Sequence, residues 1–249
     1  MTAGTGRKED ADGERPSAPT ARIPLSEVAR RAVRERIIDG SYAQGARVVE
    51  REIAEDLRMS RVPVREALRA LVEEGLLDLL PHSGVRVRRL ERADVEHLYD
   101  VWEPLAIQAS RLAARRVALA GSGGPGIMAD LRAVLERAEA AAAAGDRTRE
   151  NDAGTAFHDE VVALADNPLL AQLMQRLSGQ LRLLFGLNTE PAPMRAQHGE
   201  MYERIAAGDA DAAGAITLLH VRRSRELALS AVTGSTAAPG PAAEPGPRP

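Results

Sequence analysis

From Leu90 to about residue 231 the apolar residues of this chain recur at helical spacing throughout. That pattern is the strongest constraint on the fold. Apolar stripes with a period of about 3.6 residues are buried by packing helix on helix. Pro168, Pro191 and Pro193 mark helix starts, and Gly145 and Gly208 mark breaks. The segment thus divides into helices over 91–119, 127–144, 147–165, 168–187, 191–207 and 209–231. Pro104 is expected to kink the first of these or to split it. The result is a bundle of about six helices, an all-α domain. Composition agrees. Aromatics make up only 2% of the 249 residues, so the core must come from Leu, Val, Ile, Ala and Met, which suit helices better than sheets.

The chain before the bundle reads differently. Val28, Val33, Ile37 and Ile38 give a helix over Leu25 to Asp39, ended by Gly40. The Val48-Val49 pair makes a short connector, and Glu50 to Leu57 forms a second helix. Arg58-Met59-Ser60 is a tight turn. Ser60 is placed to cap a third helix that carries Pro63 in its first turn and runs to about Glu74. Leu76–Leu80 and Val85–Val87 then flank Pro81-His82-Ser83-Gly84 as a small hairpin. Three helices followed by a hairpin predict a winged helix-turn-helix over 23–90, with the bundle over 91–232. Residues 1–22 and 233–249 are rich in Gly, Pro and polar groups and are expected to be a disordered arm and tail.

Net charge is −3, which argues against nucleic acid until it is divided by segment. Residues 1–22 are neutral. Residues 23–90 carry 13 Arg against 11 acids, and residues 91–249 carry 16 basic groups against 21 acids. On the third helix Arg61, Arg65 and Arg69 stand at i, i+4, i+8, opposite the apolar face. Such a stripe is either a solvated surface or a phosphate-binding one. Arg61 and Arg65 sit at a helix N-terminus, where cations are electrostatically unfavourable. A phosphate partner resolves that cost, which favours DNA read by the second helix of the motif in the major groove.

The five histidines are His82, His97, His158, His198 and His220. The last three fall on three different helices of the bundle. Two arrangements are open: ordinary surface or hydrogen-bonded histidines, or three imidazoles forming a face for one divalent metal. There is no cysteine, so thiolate sites and disulfides are excluded. Gly121 to Gly126 matches GxGxxG, but no strand precedes it and Pro125 lies inside it, so it reads as a linker. No Ser-His-Asp order, HExxH motif or catalytic carboxylate pair stands out, and no enzyme chemistry is expected. No apolar run reaches the roughly 18 residues of a membrane span. The N-terminus lacks an apolar signal region, so a cytoplasmic protein is expected.

Val49-Glu50-Arg51-Glu52-Ile53-Ala54, then Met59-Ser60-Arg61-Val62-Pro63-Val64-Arg65-Glu66-Ala67-Leu68, Glu74-Gly75-Leu76 and Pro81-His82-Ser83-Gly84 together resemble the DNA-binding domain of GntR-family bacterial transcription regulators. Phe157-His158, Asn167-Pro168-Leu169, His198 and His220 resemble the FCD ligand-binding domain of the FadR subfamily. The resemblance implies DNA contacts from Arg51, Arg61 and Arg65, from His82 and Gly84 at the wing, and from Ser60, Val62 and Pro63 at the helix start. Many relatives have Thr where Val62 stands; Val cannot donate a hydrogen bond but can touch a thymine methyl. It also implies a divalent metal, zinc or similar, on His158, His198 and His220. The family's fourth ligand is an Asp one turn before the first His, and that position here is Gly154. Where relatives show Arg and, four residues on, Glu, this chain has Trp102 and Ala106. Trp102 and Gly154 therefore mark the expected effector pocket.

The implied protein is a homodimer that binds a palindromic double-stranded operator at the bacterial nucleoid. Repression is its expected mode, and its effector is a carboxylate-bearing metabolite. Gly154 and Trp102 motivate a second expectation, a regulator whose bundle only dimerises.

Overall fold

A computed structural model describes residues 23–81 and 84–235. The expected arm over 1–22, the tail beyond residue 235 and the wing residue His82 lie outside the described residues.

Helices α1 (Leu25–Ile38), α2 (Glu50–Asp56) and α3 (Arg61–Glu73) turn their apolar stripes inward. Ala29, Val33 and Ile37 of α1 meet Val64, Ala67, Leu68 and Leu71 of α3, with Ile53 and Ala54 of α2 closing the core. Full burial of Leu71 or Ile53 contributes about 1.5–3 kcal/mol each. Strands β2 (Leu77–Leu80) and β3 (Gly84–Val87) form the expected hairpin. A third strand, β1 (Arg47–Val48), pairs antiparallel with β3, so the sheet order is β1-β3-β2. The connector expected at Val48 is therefore partly strand. Two residues carry no periodicity, which is why the pattern did not reveal it.

The remainder is helical: α4 (Arg92–Ala120), a 3₁₀ turn at Gly121–Gly123, α5 (Gly124–Ile127), α6 (Ala129–Ala143), α7 (Arg147–Leu164), α8 (Pro168–Phe185), α9 (Pro191–Ala206) and α10 (Ala210–Ser235). α4 and α10 form the most extensive pairing. It is held in part by Tyr99 against Ser224 (2.7 Å) and Arg225 to Asp100 (2.8 Å). Pro104 does not split α4. The proline is exposed, while Trp102 and Ala106 on either side are buried, so tertiary packing carries the helix across the missing bond. α10 continues to Ser235, four residues past its expected end. The glycine-rich 121–126 segment connects α4 to α6 with no strand before it.

Side chains fix the starts of α7 and α8. Asn167 accepts from the Leu170 N–H (3.1 Å) and Pro168 occupies the first position of α8; Asp146 accepts from the Arg149 N–H (3.0 Å) at α7. Buried residues of α1–α3 and of the bundle join in one apolar core. At the junction, Gly179 of α8 lies against the backbone of Glu74; a Cβ there would stand 2.8 Å from the Glu74 carbonyl oxygen. Only glycine lets the two backbones approach so closely.

Candidate functional site

The outer face of α3 carries Arg61, Arg65 and Arg69, all exposed, above buried Val64, Ala67, Leu68 and Leu71. Arg65 forks onto Glu50 with Nε at 2.9 Å and Nη2 at 2.8 Å, and this bond holds the Glu50 carboxyl below its usual range. Arg51 pairs with Glu55 across one turn of α2 (3.0 Å). Arg61 and Arg69 have no ion pair among the described residues. Ser60 was expected to cap α3. Its backbone is extended as a cap requires, yet its side chain makes no capping bond, and no acid lies in the first turn. Val62 is 63% exposed beside Arg61, and Pro63 is half-buried. Gly84 begins β3 with φ +94°, a conformation that favours glycine where the wing turns.

Two further cations belong to this surface. Arg47 and Arg86 stand directly opposite one another across β1 and β3, both exposed. Like charges facing across a sheet are unfavourable. Among the described residues Arg86 is eased only by Asp78, at 3.6 Å. The alternation Gly84-Val85-Arg86-Val87 marks Arg86 as outward-facing; nothing marks Arg47, because β1 is too short.

The bundle brings together His158 of α7, His198 of α9 and His220 of α10. His220 Nε2 lies 3.2 Å from His158 Nε2 and 3.3 Å from His198 Nε2, and all three ligand atoms fall within 4.8 Å of one another. Metal–nitrogen bonds of about 2.0–2.1 Å in a tetrahedron give an edge of about 3.3 Å, so the three nitrogens fit one face of such a site. His220 Nδ1 sits 3.2 Å from Gln197 Oε1. With Nδ1–H donating there, Nε2 keeps its lone pair for the cluster.

The surroundings keep these rings neutral. Phe157 stacks on His198 (4.4 Å, 17°), and Trp102 and Phe185 pack against His158. Burial pushes His158 down to about 4 and holds His198 and His220 well below the usual imidazole range. Neutral imidazole is the form that binds metal. Among the described residues the clustered set is the three histidines alone. Asp159 is bound to Arg182 (2.5 Å), and Asp152 is exposed.

These histidines border a chamber of about 50 Å³, room for an ion and a few waters. Gly154 forms part of its wall, where a Cβ would lie 3.6 Å from His198 Cε1. Glu150 and Arg195 also border it, paired with each other, and Arg195 holds Glu139 at 3.0 Å. Sequence reasoning missed Arg195, although it lies one turn before His198 on α9. Trp102 is fully buried against His158, Tyr99 and Phe185 and borders a larger cleft rather than the chamber.

The family model described as "Bacterial regulatory proteins, gntR family" matches residues 25–87, and that described as "FCD domain" matches residues 97–223. A relative from Paenarthrobacter nicotinovorans named "Probable D-xylose utilization operon transcriptional repressor" is 31% identical over 188 residues, 74% of this chain and 80% of its own. The fold is similar to that of a putative transcriptional regulator GntR from Rhodococcus sp. RHA1 (TM-score 0.67, 25% identity, covering 82% of this chain and 97% of that one). It is also similar to that of McbR/YncC from Escherichia coli (TM-score 0.72, 20% identity, covering 84% and 99%).

Proposed function

The chain is a transcription regulator of the gntR family with an FCD domain, and from that premise we propose that it binds a palindromic operator as a homodimer and releases it in response to a small carboxylate-bearing effector. Within the family we assign it to the FadR subfamily. The relatives and similar folds are regulators and not enzymes. The observation that carries the DNA reading is the outward stripe of Arg61, Arg65 and Arg69 on α3, at a helix start with no side-chain cap and no acid. Arginine forks suit phosphate and guanine alike. Arg51 and the wing at Gly84 and His82 would flank the stripe, with Ser60, Val62 and Pro63 at the groove edge. Two copies related by a two-fold axis match two half-sites. Val101 and Leu119 on α4 and Leu219 on α10 are exposed and supply apolar surface for the second copy.

His158, His198 and His220 would hold a divalent ion, and when bound it would supply a Lewis-acidic charge for an effector carboxylate. The chain's own residues do the rest. Gln197 orients His220, the aromatic shell excludes water, and Arg195 places a cation at the chamber wall. An effector shifts operator affinity only if it binds the two placements of the DNA-binding elements unequally. No helix among the described residues is long and apolar enough to cross a membrane, in keeping with action in the bacterial cytoplasm at the nucleoid.

Operator DNA mapped from the protein's own gene neighbourhood tests this reading. Arg65→Ala should weaken operator binding by roughly 1–3 kcal/mol, read by gel shift or anisotropy. Unchanged affinity refutes the assigned role. Glu50→Gln, which frees the Arg65 fork, should bind the same operator more tightly. A second reading rests on Gly154, which brings no oxygen to the chamber: the bundle only dimerises. Metal analysis and thermal shift with and without chelator separate the two, because a dimerisation domain gives neither bound metal nor a chelator effect.

A further inference from the structure

A second hollow, of about 860 Å³, lies between the DNA-binding elements and the bundle. Arg30, Arg34 and Glu74 from α1 and the end of α3 form one wall; α4, α7 and α8 form the other. Its volume is in the range of small-molecule sites, about 300–1,000 Å³. The inner part is aromatic and apolar: Trp102, Phe185 and Leu181. The indole N–H of Trp102 is buried and has no acceptor among the described residues. A buried donor without a partner is uncommon, and it is satisfied when a ligand brings an oxygen.

The rest of the lining is mixed: Arg30, Arg34, Arg176 and Arg182 stand with Glu73, Glu74 and Asp159, and Arg182 is bound to Asp159. Arg176 is exposed and has no ion pair among the described residues. Arg30 is bound by both Glu27 (2.6 Å) and Glu74 (2.7 Å), and Arg34 is bound by Glu74 (2.6 Å). Arg34 reaches Glu74 through Nε and Nη2, which leaves the Nη1 donors available for an anion.

We propose that this cleft is a second ligand site for an aryl hydroxy- or oxo-carboxylate, on the other side of a wall of Thr155, His158 and Phe185 that it shares with the histidine chamber. The aromatic body lies against Trp102 and Phe185, the hydroxyl or carbonyl oxygen accepts from the Trp102 N–H, and the carboxylate pairs with Arg176 and accepts from Arg34 Nη1. Its occupant touches the DNA-binding elements and the bundle at once, so it couples to operator affinity without passing through the metal. The inference rests on the reading of the chain as effector-responsive.

The probe is 3-phenyllactate, with 3-phenylpropanoate (no hydroxyl) and lactate (no ring) beside it. The full chain is titrated by calorimetry with a chelator present, and the emission of Trp102, the single tryptophan, is followed in parallel. Saturable phenyllactate binding with a shift in emission is expected, and lactate should give none. Arg176→Glu should weaken phenyllactate at least tenfold while leaving operator affinity of the ligand-free protein unchanged. Trp102→Phe should bring phenyllactate down to the affinity of phenylpropanoate. Absence of saturable binding, or an affinity unchanged in Arg176→Glu, overturns the site. Binding that disappears with the chelator puts the ligand in the histidine chamber; this overturns the cleft and leaves the effector reading intact. Chelator-resistant binding that does not change operator affinity supports the site and counts against the effector reading.

Discussion

Gly179→Ala tests the seam between the DNA-binding elements and the bundle. Two effects oppose one another. Gly179 lies inside α8, so alanine gains about 1 kcal/mol of helix propensity. The added methyl would stand 2.8 Å from the Glu74 carbonyl oxygen and 3.1 Å from Leu76 Cγ. The carbonyl is backbone and cannot rotate away, so α8 and the end of α3 must separate by several tenths of an ångström. Overpacking of this kind costs about 1–3 kcal/mol. The net change therefore runs from neutral to a loss of about 2 kcal/mol. Gly199→Ala is the matched control. It also lies inside a helix, α9, but nothing stands within 4 Å of its added methyl. It should gain the propensity term alone. The two variants should differ by about 1–3 kcal/mol, roughly 2–12 °C in Tm for a chain of this size. Thermal unfolding of both, side by side, gives the answer, and operator affinity should change in Gly179→Ala only. If Gly179→Ala is as stable as Gly199→Ala, the close contact does not hold the seam and the reasoning fails.

Two other predictions concern the bundle. Burial lowers the His158 imidazole from 6.5 to about 4, so the unfolded chain binds more protons between those values. Stability should be greatest above pH 6.5 and fall by about 2–3 kcal/mol as the pH drops to 4, with His198 and His220 adding in the same direction. Thermal unfolding from pH 8 to 4 with and without excess zinc checks this; a flat profile between pH 7 and 5 contradicts it. Gly154→Asp places a carboxylate beside His198 without steric conflict and should tighten zinc on the order of tenfold or more, about 1.4 kcal/mol or more. Competition with a colorimetric chelator measures it, and an unchanged affinity would show that position 154 does not face the ion.

Most of the helices were legible because their apolar stripes begin or end at a proline or glycine that the observed element also respects. Asn167-Pro168 is an instance: the residues that mark the start of α8 in the sequence are those that satisfy its first N–H groups. Convergence of the histidines was not legible from spacing. His158, His198 and His220 are far apart in the chain, and only the resemblance to a family brought them together before the fold did. The pairing of Arg65 with Glu50 was hidden for the same reason, since the partners lie on different helices. Trp102 shows a further limit. Burial follows from its size and helical phase, but an indole N–H left without an acceptor depends on what the neighbouring helices fail to offer. The seam at Gly179 was invisible because a glycine inside a helix usually reports only weak propensity.

The open start of α3 has a consequence for how the protein meets DNA. Asp146 and Asn167 supply first-turn partners for α7 and α8, whereas α3, like α1, α2, α6 and α9, has no side-chain acceptor there, and α3 sets arginines beside these N–H groups with no acid in its first turn. A phosphate oxygen supplies both the missing acceptor and the missing negative charge. On the proposed reading, the operator would act as the N-terminal cap of its own recognition helix. Amide exchange at Arg61, Val62 and Val64 should slow on DNA binding more than anywhere else in α3, so that local order in one turn reports occupancy of the site.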